Sequence, residues 1–328
     1  MNISDLKEYL GRDWEAVQER IDTALRSDIS LLNTTNASIL SNSGKQLRPL
    51  LSLFMARACT GGMTSGDATV RYAAASELLH NATLLHDDVA DESDLRRGKP
   101  TVYSLMGPSV SVLVGDYWLV KAMDLILGDS GSDTAVIRLF SKTLSDLAEG
   151  EMLQLQKAQS GDTDEEAYLR IIYNKTASLF EAACVSAALS VNASDEMVAA
   201  ARNYAVALGL AFQIKDDILD YAGTETVGKP LGVDILEQKI TMPLLGALAE
   251  VSAEEAERVR ALVKDIPGHP EYRDEIVAFV KAGGGVKYAK KRLDDYVAQA
   301  VAALEIFPDS YEKECLANLA HYTAIRNK

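Results

Sequence analysis

The stretch from Val70 to Asp91, VRYAAASELLHNATLLHDDVAD, decides how the rest of the chain is read. Wound as a helix, it puts Ala73, Glu77, Asn81 and Leu85 on one ridge and Ser76, His80, Leu84 and Asp88 on the next, with no competing alternation of period two. The segment reads as one long helix that ends in carboxylates, Asp87-Asp88-Val89-Ala90-Asp91. Asp87 and Asp91 share a face, and Asp88 lies about 100° round from Asp87.

Working outward, Ala- and Leu-rich stretches of the same period predict helices near 5–33, 48–60, 109–128, 133–159, 164–190, 195–223, 238–250, 253–265, 271–282, 286–304 and 309–326. The eight prolines stand mostly at breaks in this pattern, and Gly61-Gly62, Gly128 to Gly131 and Gly283-Gly284-Gly285 are expected C-terminal stops. There is no strand signal, no low-complexity linker and no short repeat. The expectation is an all-α fold, a single helical domain over residues 1–328.

Composition narrows the function. Hydrophobic residues at 48% and charged residues at 25% suit a globular core, and a net charge of −15 argues against nucleic acid as a partner. Cys59, Cys184 and Cys315 are three thiols without zinc or disulfide spacing, which points to a reducing cytoplasm. The first residues, MNISDLKE, carry acids where an export signal would be basic. The longest apolar run identified, Ala177 to Val191, is interrupted by Glu181 and too short to span a bilayer, so no transmembrane segment is expected.

A second acidic motif, Asp216-Asp217-Ile218-Leu219-Asp220, repeats the geometry of the first. One such motif in an acidic protein is most simply a solvated helix face. Two are harder to explain that way, because each follows an apolar run, Leu84-Leu85-His86 or Leu210-Ala211-Phe212-Gln213-Ile214, beside which uncompensated carboxylates are costly. Facing one another across a cavity, the two motifs would hold Mg²⁺ ions that keep waters and complete their shells with phosphate oxygens.

With these motifs stand Gly44-Lys45-Gln46-Leu47-Arg48-Pro49, the run His80 to Thr101 (HNATLLHDDVADESDLRRGKPT), Gly115-Asp116-Tyr117, Glu149-Gly150-Glu151, Lys175-Thr176, Phe212 to Asp220 (FQIKDDILD) and Gly228 to Lys239. In this order, over about two hundred residues, the chain resembles the trans-isoprenyl diphosphate synthase family, specifically its long-chain polyprenyl members such as octaprenyl diphosphate synthases. The resemblance implies the isoprenoid synthase fold, a single large helical bundle around a central cavity. It also implies a homodimer, three Mg²⁺ per active site, and head-to-tail condensation of isopentenyl diphosphate with an allylic diphosphate.

Carried over residue by residue, the resemblance gives Lys45, Arg48, His80 and Arg97 to isopentenyl diphosphate. Guanidinium forks and ammonium groups suit phosphate oxygens without a metal. It gives the allylic diphosphate to Arg96, Lys175, Thr176, Gln213, Lys229 and Lys239. Asp87, Asp91 and Asp216 become the direct metal ligands, with Asp88, Asp217 and Asp220 completing or orienting the clusters. No side chain is assigned as general base: the departing diphosphate is expected to take the proton, and His86 reads as a helix residue packed behind the metal face.

Ala82 and Thr83, five and four positions before Asp87, lie about one turn away on the face expected to meet the growing tail. Short-chain relatives carry a bulky aromatic there, so small residues imply a long product of the kind used in quinone side chains. Phe140 is the candidate floor. The alternatives are a short-chain farnesyl or geranylgeranyl synthase, a terpene cyclase, a non-catalytic subunit of a heteromeric synthase, and a metal phosphohydrolase. The last is disfavoured by a chain with only four histidines.

Overall fold

The computed structural model describes residues 2–128, 134–222 and 232–326. In chain order its elements are α1 (Ile3–Leu10), α2 (Arg12–Ala24), α3 (Ser30–Ser41), α4 (Leu47–Thr60), α5 (Asp67–Ala90), the short strands β1 (Leu95–Arg96) and β2 (Lys99–Pro100), α6 (Val102–Met106), α7 (Pro108–Leu127) and α8 (Thr134–Ser160). Then come α9 (Glu165–Ile172), a π-helical turn (Tyr173–Ala177), α10 (Ser178–Ser190), α11 (Asp195–Ala222), α12 (Val233–Leu236), α13 (Met242–Leu248), α14 (Ala253–Asp265), α15 (Tyr272–Ala282), α16 (Gly285–Ala303) and α17 (Tyr311–Ile325).

Most of the expected helices are present within a residue or two, and three differences have local causes. The helix expected at 5–33 is three helices. Gly11 breaks it with φ 52°, and Ile29 resets the chain to extended backbone before α3. The helix expected at 238–250 is only Met242–Leu248, entered through Thr241 in extended conformation with Pro243 in the first turn. Among the described residues, strand structure, for which the sequence carries no signal, exists as one minimal hairpin with Leu95 opposite Pro100 and Arg96 opposite Lys99. Its two-residue turn, Arg97-Gly98, has φ of 53° and 75°, the left-handed pair that lets two strands reverse tightly.

The chain divides into two compact units. The first comprises Met1–Ser141, Ala182–Ala201 and Ile306–Leu316; the second comprises Lys142–Glu181, Arg202–Glu305 and Ala317–Lys328. In the first unit α5 packs against α7, α4 and α2. From Thr69 to Ala82 it is buried almost all round, which explains why so many of its residues there are alanine or leucine. Leu78 and Leu79 are fully buried, each contributing about 1.5–3 kcal/mol of burial free energy. Polar bonds fix the surrounding helices: Arg57 pairs with Asp13 at 2.8 Å, and Trp118 Nε1 donates to Asn36 Oδ1 at 2.8 Å.

In the second unit α13 packs against α16, with α15, α14 and α9 around it. The helix that carries the second acidic motif, α11, is the one described helix long and apolar enough to cross a membrane, but 56% of its apolar window is buried inside the protein. It is a core helix with carboxylates in its last turns.

Candidate active site

The first acidic motif closes α5. Asp91 caps the helix and is exposed, its N–H donating to the Asp87 carbonyl at 2.8 Å, while Asp87 is half-buried. Asp88 is 4% exposed and is held from two directions. Arg96 Nε donates to its Oδ1 at 2.7 Å, and Ser93 N–H donates to its carbonyl at 2.9 Å. Burial raises the Asp88 pKa even though Arg96 pulls it the other way.

The hairpin separates two neighbouring arginines by function. Arg96 lies in a strand and turns back to Asp88. Arg97 occupies the turn and reaches the loop before α4, where its Nη1 donates to the Asn42 carbonyl at 3.1 Å. Its guanidinium lies flat on Gly44: a Cβ built there would be 2.5 Å from Arg97 Cζ, so only glycine lets the arginine settle at this point.

Around this contact the first unit gathers positive charge. Lys45 and Arg48 flank Gln46, whose left-handed backbone (φ 54°, ψ 52°) opens α4 without a side-chain cap. Lys7 Nζ and Gln18 hold the Gln46 amide, with Lys7 donating to Oε1 at 3.2 Å and Nε2 donating to Gln18 Oε1 at 3.2 Å. Burial lowers the Arg48 guanidinium to about 10, against the upward pull of Glu77, and it stays charged at neutral pH. Desolvation, with Arg48, Arg97 and Arg96 close by, holds His80 well below the usual histidine range. One buried acid stands within the group, its pKa raised by burial against the pull of Arg48. Glu77 is 3% exposed, accepts from Asn81 Nδ2 at 3.2 Å, and has an Oε2 with no hydrogen-bond partner.

The second unit organises the other motif from α11. Asp217 is 2% exposed and accepts from Tyr168 Oη at 2.5 Å and from Gln213 Nε2 at 3.0 Å; Gln213 Oε1 in turn accepts from Thr176 Oγ1 at 3.0 Å. Asp220 receives the N–H groups of Val233 (3.0 Å) and Asp234 (3.3 Å), folding the chain so that Asp234 comes beside the motif. Burial and mutual repulsion among Asp217, Asp234 and their neighbours raise both carboxyl pKa values. Asp216 pairs with Arg326 Nη2 at 2.7 Å, and that guanidinium also donates to the Phe212 carbonyl and stacks on the Phe212 ring at 3.9 Å.

Beside Asp217 a cavity of about 120 Å³ is walled by Lys157, Lys175, Lys239, Gln213, Asp217 and Asp234. Lys175 Nζ donates to Gln154 Oε1 and pairs with Glu151 Oε1, both at 2.9 Å, and Lys239 pairs with Glu237. Lys229 lies outside the described residues.

The structure thus brings Arg48, His80 and Arg97 together in one unit, and Lys175, Thr176, Gln213, Asp217 and Lys239 in the other. Sequence reading missed Glu77, Lys157, Tyr168, Asp234 and Arg326. Asp234 lies within the stretch Gly228 to Lys239, but no spacing singles it out, since the turn to Asp220 brings it in. Nothing in sequence marks Arg326 either, because its partner stands 110 positions earlier.

Among the described residues no three His, Cys, Asp or Glu side chains gather closely enough to hold a metal ion by themselves. The donors are all carboxylate oxygens, two of them one helical turn apart at Asp87 and Asp91. Such a set fits a hard divalent cation that keeps waters and shares a diphosphate, and it does not fit an all-protein cage. His86 is not part of it: its Nε2 lies 3.2 Å from Asp116 Oδ1, on α7.

The polyprenyl synthetase family model matches residues 29–280. The octaprenyl diphosphate synthase of Escherichia coli K12 is 37% identical over 329 residues, with both chains covered in full. Among solved structures, a decaprenyl diphosphate synthase from Rhodobacter capsulatus superposes with a TM-score of 0.90 at 34% identity, covering both chains completely. A polyprenyl synthase from Caulobacter crescentus CB15, solved with calcium and isoprenyl diphosphate, gives 0.88 at 34% identity over 100% of this chain and 98% of that one.

Proposed function

The chain belongs to the polyprenyl synthetase family, with its all-α isoprenoid synthase fold, and we propose that it is a magnesium-dependent trans-prenyltransferase. It lengthens an allylic diphosphate by successive condensation with isopentenyl diphosphate to a long all-trans polyprenyl diphosphate of the kind used in quinone side chains. The family match over residues 29–280 runs through both units and supports reading residues 1–328 as one domain.

The observation that carries the reading is the cationic cluster of the first unit. Arg48 and Arg97 are held beside the neutral His80, with the buried acid Glu77 among them, at an uncapped helix start. Like charges gathered at such cost mark an anion site, and this one requires no metal. A terpene cyclase, which ionises one diphosphate, has no use for it. Lys45, Arg48, His80 and Arg97 bind isopentenyl diphosphate here.

Asp87, Asp91 and Asp216 would hold the magnesium ions, three in the full complex, with Asp88, Asp217 and Asp220 orienting the groups around them. Bound magnesium supplies the charge neutralisation that lets a diphosphate leave. Arg96, Lys175, Thr176, Gln213, Lys229 and Lys239 bind the allylic diphosphate and stabilise its negative charge as the allylic C–O bond breaks. The isopentenyl double bond attacks the resulting cation, a C–C bond forms, and a proton passes to the departed diphosphate.

A long product is supported by the small residues upstream of Asp87. Thr83 is half-buried and its Oγ1 donates to the His80 carbonyl, and further along α5 Tyr72 meets Phe140 with ring centroids 6.4 Å apart. Tyr72 and Phe140 would form the floor, about 15 Å along the helix from Ala82. The relatives whose names give long products support the same choice. A homodimer is supported by α7, where exposed Leu113, Val120 and Leu127 recur every seven residues in one apolar row. The three free cysteines support a cytoplasmic enzyme.

Incubation with farnesyl and isopentenyl diphosphates, followed by sizing of the products, tests the assignment. Products well beyond twenty carbons are expected. Products that stop at fifteen or twenty overturn the long-chain reading, and turnover without isopentenyl diphosphate overturns the prenyltransferase.

A further inference from the structure

Between α9 and α10 the chain stays helical but passes through the π-turn Tyr173–Ala177, which winds in one residue more than an α-helix would and so rotates the start of α10 relative to α9. Two members of this turn reach across to α8 and α11. Lys175 bonds to Gln154 and Glu151 of α8, and Thr176 donates to Gln213 of α11. The remaining side of the turn is buried, with Asn174 5% exposed and Ala177 fully covered.

On that buried side the same two helices come into near-backbone contact with the turn. A Cβ added at Gly150 of α8 would lie 2.8 Å from Asn174 Cβ, 2.9 Å from Lys175 Cγ and 3.1 Å from Lys175 N. One added at Gly209 of α11 would lie 2.5 Å from Ala177 Cα and 2.7 Å from its Cβ. Neither place admits a carbon unless the turn moves, and the second clash is with backbone, which cannot swing aside as a long side chain can. Gly150 stands one residue before Glu151, and Gly209 one turn before Gln213. Each helix therefore fixes both the path of the turn and a partner of the side chain the turn presents.

We propose that Gly150 and Gly209 are positioning residues that grip the π-turn and thereby set where Lys175 and Thr176 offer their donors to the allylic diphosphate. The inference rests on the reading that Lys175 and Thr176 bind that diphosphate. It assigns to the two glycines control of allylic affinity and leaves isopentenyl affinity alone, because Lys45, Arg48, His80 and Arg97 all belong to the other unit.

Steady-state kinetics on the full chain, varying farnesyl and isopentenyl diphosphate in turn, with melting by circular dichroism as the folding control, tests it. Gly150→Ala is expected to raise KM for the allylic substrate about tenfold, in line with the sensitivity of bound geometry to sub-ångström shifts, and to keep KM for isopentenyl diphosphate within about twofold. Adding Asn174→Gly removes the nearest clashing atom and leaves the Lys175 contacts, so a partial return of the allylic KM toward the parent value is expected. A folded Gly150→Ala enzyme with an unchanged allylic KM, or with both KM values raised alike, overturns the proposal, as does a double variant that recovers nothing. Should Gly150→Ala fail to fold, Asn174→Gly alone loosens the grip without adding an atom, and the same rise in allylic KM alone is required. Lys175→Gln separates the two layers of the argument. If it leaves the allylic KM unchanged, the diphosphate reading itself falls and the inference with it; if it raises that KM while the glycine variants do not, only the grip is refuted.

Discussion

His80 is surrounded by Arg48, Arg97 and Arg96, and burial together with those guanidiniums keeps its imidazole neutral well below the usual histidine range. The consequence for stability has a definite sign. The unfolded chain takes up a proton at this histidine below about pH 6.5 and the folded chain does not, so this group's contribution is complete above pH 6.5 and is lost as pH falls below it. The loss amounts to as much as ~1.4 kcal/mol per pH unit. His80→Gln is expected to flatten that part of the profile, seen as a smaller drop in unfolding free energy between pH 7 and pH 5 by urea denaturation. An equal drop in parent and variant would show that His80 is not held neutral. Residue types were legible at this scale, since the motifs spell out the cations and carboxylates directly. Their partners were not, because Glu77, Tyr168 and Arg326 acquire meaning only through contacts that no spacing encodes.

At the scale of elements, α5 was readable from its period to within three residues, since a helix buried over most of its length needs a run of small and aliphatic side chains. The hairpin at Arg96 to Lys99 was not, since two-residue strands leave no alternation to detect, and the π-turn lay unseen inside a stretch that reads as uninterrupted helix. The structure also distinguishes two residues that sequence had treated alike. Ala82 is fully buried, whereas Thr83 keeps some exposure one turn before Asp87. Thr83→Phe is therefore expected to shorten the product and leave the fold intact. Ala82→Phe would also shorten it, at an overpacking cost of about 1–3 kcal/mol. Product sizing and thermal melting of the two variants together check this. An unshortened product from Thr83→Phe would remove Thr83 from the tail's path, and complete inactivity of a folded Ala82→Phe enzyme would count against the proposed geometry.

For the whole molecule, a net charge of −15 conceals locally cationic sites, because electrostatic effects of this kind decay over about a Debye length and a sum over the chain does not report them. The proposed division of labour makes a prediction at this scale. Removing divalent cations with a chelator should abolish product formation while isopentenyl diphosphate still binds, with a Kd by calorimetry within about threefold of the value in magnesium. Loss of that binding on chelation would mean the cationic cluster is not a metal-independent diphosphate site.

The sequence by itself determined the all-α class, most of the helices, both acidic motifs and the family resemblance, because periodicity and short motifs are local properties of the chain. Tertiary structure alone decided that Arg96 turns to Asp88 while its neighbour Arg97 lies on Gly44, that Asp234 joins Asp220, and that two glycines close on the turn carrying Lys175 and Thr176. These depend on backbone reversals and on distances between segments remote in sequence, and side-chain packing settles them only once the chain has folded.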